Sequence, residues 1–280
     1  MAWEMLYTPS FKFFTPIARR TMAINPHISS TIDTVRRDQR GMTVYLGSPN
    51  SHAQAHAVEN MPVLLSFVIA GRSKWIEQYI PSWGAILLDC GAYSAHTQKI
   101  EIDGAAYRDW VDSFDGICDA YAGIDDIGGD WKKSWQNYQD FGGFPTIHDT
   151  DPPEFLDDLI ALAKERTQWI GIGLKPPREG KEHWIRDTIE RIPWDMHIHG
   201  WALRAYTYIR RIDSVDSTNW WRDAEKLRTQ YLCDHLTIQE CLEIMIKRYT
   251  RWKRIIRDNE QKSLFPKEKK LGVASHSDVP

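Results

Sequence analysis

Several things are missing from this chain, and each absence narrows what it can be. It has only four cysteines in 280 residues, Cys90, Cys118, Cys233 and Cys241. They stand far apart and form no C-x-x-C pair, which argues against a disulfide scaffold or a dithiol redox centre. No stretch reaches the roughly 20 apolar residues that a membrane helix needs. The amino end, MAWEMLYTPSFKFF, alternates apolar and polar residues and reads as neither a signal peptide nor an anchor. A large charge of one sign is also missing. The formal net charge is −3, so any contact with nucleic acid must come from a local patch and not from a polycationic surface. No internal repeat is visible. The expectation is a reduced cytoplasmic protein with no membrane partner.

What is present points to one large α/β unit. Hydrophobic residues make up 42% of the chain, enough for a sizeable core, and thirteen tryptophans add bulk to it. Eight short apolar, β-branched runs recur, each followed by a turn or a polar segment: 43–46, 62–69, 85–88, 120–124, 144–147, 169–174, 196–198 and 211–215. Helical patterns lie between them, as over 153–163 and 182–191. Strands alternating with helices imply βαβ units and a parallel sheet. Eight of them predict a (β/α)8 TIM barrel of the α/β class with a C-terminal helical extension; an open doubly wound sheet is the alternative. The division expected is an irregular lead-in over 1–40, a barrel over 41–220, a helical segment closing the barrel over 221–264, and a frayed tail over 265–280.

In a β/α barrel the chemistry sits at the carboxyl ends of the strands. Asp89, Asp125, Asp126, His148, Lys175, His199 and Asp216 fall there. Any one of them could be a loop residue or a helix cap. Together they are more telling, because carboxylates converging on one rim raise each other's pKa.

Their order carries a resemblance. Leu88-Asp89-Cys90-Gly91-Ala92-Tyr93 resembles the D-S-G-G/A-F motif of the tRNA-guanine transglycosylase superfamily. Asp125 follows a strand as that family's base-reading aspartate does. Gly171-Ile172-Gly173-Leu174 is similar to its glycine-rich strand end, His199-Gly200 to the next strand-end turn, and Ser214-Val215-Asp216-Ser217-Thr218 to the segment holding its nucleophile. Tyr45-Leu46-Gly47 and the S-V-D-S-T-x-W run ending at Trp220 are most like the phage and bacterial branch that places 7-deazaguanines in DNA.

The resemblance implies a transglycosylase, a pentosyltransferase that exchanges guanine in DNA for a 7-deazaguanine such as preQ0. In it Asp216 is the nucleophile and Asp89 the general acid/base. Asp125, or else Asp126, reads the base edge. The backbone at Gly171, Gly173 and Leu174 admits the base, Tyr93 stacks on it, and His199 and Gly200 line its site, where the strand-end reading also puts His148. The alternatives are the same exchange on tRNA, a non-catalytic nucleic-acid-binding barrel, and an unrelated barrel hydrolase. The tRNA-acting enzymes carry a C-x-C-x-x-C zinc site with a distant histidine. Here that region offers only Cys233, His235 and Cys241, which argues against zinc and leaves the 7-deazaguanine as co-substrate with no other cofactor. For phosphate contacts the candidates are Arg204, Arg210 and Arg211 near the nucleophile. Lys247, Arg251 and Arg254 share one helical face farther on.

Overall fold

Eight strands carry the architecture: β1 (Thr43–Gly47), β2 (Pro62–Ser66), β3 (Ala85–Asp89), β4 (Ala120–Tyr121), β5 (Thr146–His148), β6 (Trp169–Gly173), β7 (His197–Trp201) and β8 (Ser214–Ser217). The computed structural model describes residues 42–71, 73–175, 180–203, 211–230 and 236–248. All strand pairs are parallel, in the order β4-β3-β2-β1-β8-β7-β6-β5. A bridge between Ala122 and Phe144 joins the outer strands, with Gly123 N–H donating to Phe144 O and Phe144 N–H to Tyr121 O. The sheet thus curls into a (β/α)8, TIM-barrel-like α/β fold, and each of the eight runs read from the sequence overlaps one of its strands.

The strand ends differ from the expectation in two useful places. β2 stops at Ser66, and Phe67–Ala70 turns into a short helix. β7 runs on to Trp201, three residues past the expected end. The segment over 182–191 is helical across Glu182–Arg191, as its pattern predicts. The helix Phe155–Arg166 opens with Asp157 and Asp158 and closes with Lys164 and Arg166, the charge order that a helix dipole favours. Asp103 and Asp130 cap two others by accepting backbone N–H bonds.

Side chains alternate across each strand, so every second residue points into the barrel. Tyr45, Leu64, Leu87, Ala122 and Phe144 fill the interior. Two outer cores lie between sheet and helices. One gathers Ile147, Leu159, Ile170, Ile172, Ile185 and Ile198. The other joins Leu46, Leu65, Leu88 and Trp220 to Cys241, Leu242, Met245 and Ile246 of a helix over 238–248. The helix over 238–248 of the C-terminal segment therefore packs on the barrel. The lead-in and the tail lie outside the described residues.

No described helix is long and apolar enough to cross a membrane.

Candidate active site

A cavity of about 700 Å³, within the size range of small-molecule sites, takes in the carboxyl ends of the strands and extends along β1 and β8 to Met42, Val44, Ile212 and Val215. Asp89, Asp125 and Asp216 all line it, with Ser48, Ser66, His148, Gly173, Leu174, Lys175 and Trp201. Tyr93 stands at the mouth, 59% exposed.

The three carboxylates are held differently. Asp89 ends β3, opposite Ser66 of β2, and its Oδ1 accepts the Gly91 amide at 3.0 Å. Gly91 has φ +81°, and a Cβ there would lie 2.5 Å from Ser66 Oγ, so the turn after Asp89 requires glycine. Burial pushes the Asp89 carboxyl up to about 7, and the negative charges of Asp125 and Asp216 add to the effect against the pull of the Gly91 amide. The Ser66 hydroxyl adjoins Asp89 but lacks a well-formed hydrogen bond of its own among the described residues.

Asp125 pairs with His148, Oδ2 to Nε2, at 3.1 Å. Asp151 backs the same ring at 3.5 Å and accepts the His148 amide at 2.8 Å. Burial opposes charge on His148, but bonds to both aspartates outweigh it and raise the imidazole to about 9. His148 is thus an imidazolium at neutral pH, and it pins Asp125 at the cavity wall. Gly173 leaves room for this ring: a Cβ there would meet His148 at 2.8 Å.

Asp216 Oδ1 accepts the Ala202 amide at 2.6 Å. The side chains of Asp125 and Asp216 each keep 13% of their surface exposed, enough to meet a ligand in the cavity.

Other expected residues have other places. Asp126 faces away from the cavity. Its carboxylate accepts the Asp130 amide and lies 3.8 Å from Lys133, shaping the turn into the next helix. Gly171 sits one layer deeper than the cavity. A Cβ there would lie 2.4 Å from Thr146 Oγ1 and 2.5 Å from Trp201 Nε1, so it makes room for the hydrogen bond between those two side chains. His199 is also in the deeper layer and fully buried, because period-two alternation gives the cavity position to Trp201. Gly200 faces outward against Leu203. Arg211 precedes β8 and so lies at the opposite end of the barrel from Asp216. It donates to the carbonyls of Ile192 and Pro193 and stacks over Trp194. Lys247 is exposed on the C-terminal helix. Arg204, Arg210, Arg251 and Arg254, with Cys233 and His235, lie outside the described residues. No group of three or more potential metal ligands gathers among the described residues.

The cavity also has residues that strand-end reading overlooks. Ser66 is hidden by the expectation of a longer β2, and Trp201 by that of a shorter β7. Asn219, Arg222 and Lys226 enter from the helix that follows Asp216 (Asn219–Gln230), and Arg248 from the helix over 238–248. Arg222 and Lys226 have the i, i+4 spacing of one helical face, which was the available signal.

No protein-family model matches the chain, and no curated protein does. Among solved structures, a protein described as "Structural study of Project ID from Aquifex aeolicus VF5" superposes on 78% of this chain and 96% of its own, with TM-score 0.44 and 9% identity. At that level the likeness says nothing of function.

Proposed function

We propose that this chain is a transglycosylase that exchanges a guanine base in DNA for a 7-deazaguanine. The observation that carries the reading is the pairing of Asp89 and Asp216 in one cavity, in unlike environments. Asp89 is poised near neutrality, and Asp216 is oriented by a backbone amide. Two carboxyls with separated roles suit a double displacement at an anomeric carbon.

In this reading Asp216 attacks C1′ of the target nucleotide as the bond from C1′ to N9 breaks. The electron pair leaves with the old base, and Asp89 supplies a proton to it. The sugar is held as an ester on Asp216. The incoming base gives its N9 proton to Asp89 and attacks C1′, and the ester electrons return to Asp216. Asp125, pinned by His148, accepts N–H groups from the base edge, and Trp201 and Tyr93 offer aromatic surface. The target nucleotide must leave its stack to enter. Arg222, Lys226 and Arg248 at the cavity are suited to the neighbouring phosphates.

The test is incubation of the chain with duplex DNA, single-stranded DNA and tRNA, each with labelled 7-cyano-7-deazaguanine. Label should enter DNA and be absent with Asp216→Asn. Label in tRNA alone would move the substrate to RNA, and no label in any nucleic acid would overturn the exchange reaction.

A further inference from the structure

Beneath Asp216 a file of polar side chains runs through the barrel. His197 Nε2 lies 2.7 Å from Ser214 Oγ, and Ser214 Oγ lies 2.9 Å from His199 Nδ1. The other ring nitrogen of His199, Nε2, is fully buried and has no hydrogen-bond partner among the described residues. It lies 3.8 Å from Asp216 Oδ1, the oxygen that accepts the Ala202 amide. That separation is beyond the roughly 2.7–3.2 Å of a hydrogen bond. The ring is boxed by Tyr45, Phe144 and Trp201, with Trp201 edge-on at 4.3 Å, so it has little freedom to turn.

Ser214 has one hydrogen and two lone pairs, so it either donates to one ring nitrogen while accepting from the other or accepts from both, and in every arrangement except donation to His199 the His199 proton sits on Nδ1. If it donated to His197, His199 would carry its proton on Nδ1 and aim an Nε2 lone pair at a carboxylate in a buried setting, which is repulsive. If it donates to His199, Nδ1 is the acceptor and the proton of the neutral ring sits on Nε2, facing Asp216. Burial, with the charge of nearby His197, holds His199 well below its ordinary pKa, so the neutral ring applies throughout the working range.

The geometry points to His199 as a positioning residue for Asp216: Ser214 fixes its Nε2–H tautomer, and that N–H faces the Oδ1 oxygen, which the Ala202 amide already holds, and biases the carboxylate electrostatically so that the other oxygen attacks the sugar. This rests on Asp216 being the nucleophile of the proposed exchange. The two donors would keep the ester carbonyl oriented while the sugar is bound, and would steady the carboxylate when charge returns to it on release. Trp201 lies between cavity and ring, so a base stacked on Trp201 presses on the His199 box.

Two measurements test this on the full chain. Nitrogen-15 spectra of histidine-labelled protein, with His199 assigned from a His199→Gln variant, should show the Nε2–H tautomer at neutral pH. The Nε2 signal should move in Asp216→Asn, and the tautomer should mix in Ser214→Ala. An Nδ1–H tautomer overturns the inference whether or not the exchange reaction is found. Secondly, His199→Gln keeps an amide donor at the Nε2 position, whereas His199→Asn keeps only the Nδ1 side. His199→Asn should slow formation of the covalent adduct by roughly tenfold or more with an unchanged KM for the base, and His199→Gln should recover much of it. Equal rates in two variants that unfold at the same temperature would reject the positioning role. Failure of the exchange reading itself would show instead as a wild-type chain that forms no adduct, with the tautomer still readable.

Discussion

At the scale of single residues, the environment of Asp89 ties the proposed exchange activity and stability together with opposite signs. Its folded-state pKa of about 7 lies above the ordinary 3.8, so the folded chain binds a proton that the unfolded chain has released between those values. Folding stability from this group is therefore present at low pH and is lost as pH rises through 7. Asp89→Asn should cost roughly 10²–10⁴ in exchange rate. At pH 8 it should also raise folding stability by an amount on the order of a few kcal/mol, because no buried charge remains. Rate measurements and denaturant titrations at pH 5 and pH 8 check both signs, and a variant destabilised at pH 8 would contradict the account. Which residues face the cavity was partly legible. Asp89, Asp125, His148 and Asp216 announce themselves as charged groups just past apolar runs. Asp125 came ahead of Asp126 only through the resemblance, since the loop after β4 has no period to show which neighbour turns inward.

At the scale of elements, β6 is the clearest case of one motif doing two jobs. Its sequence Trp-Ile-Gly-Ile-Gly places both glycines inside the barrel, two residues apart. Gly171→Ala would drive a methyl group into Thr146 and Trp201 in the packed layer, and should cost about 1–3 kcal/mol in thermal or denaturant unfolding. Gly173→Ala would instead push His148 away from Asp125, and should lower the exchange rate more than it lowers stability. The reverse pattern would show that the layers are misassigned. The strands were readable because each apolar run stops at a polar turn. The layer of each residue was not, because a strand end misplaced by three residues moves the rim from His199 to Trp201.

At the scale of the whole molecule, the C-terminal helix belongs to the fold. Leu242 is 1% exposed in the core shared with Trp220 and β1–β3. Leu242→Ala should cost about 2–5 kcal/mol, read from denaturant unfolding, and a near-neutral result would detach this helix from the barrel. Sequence reading assigned phosphate contacts to Arg211, which proves to lie at the far end of the barrel. It had no means of seeing that the two helices after β8 bring Arg222 and Arg248 to one cavity, because only the closed sheet sets that proximity.

The closure itself is uneven. β4 is two residues long and β5 three, and a single bridge at Ala122 and Phe144 spans them. Gly143, at φ +86°, lets the two backbones approach there, since a Cβ would lie 2.5 Å from Gly123 N. Asp125 and His148 follow these same two strands, so their ion pair is a clasp across the thinnest part of the wall. A ligand that draws on the Asp125 carboxylate thereby loosens or tightens the cylinder at the place where parting it breaks the fewest backbone bonds.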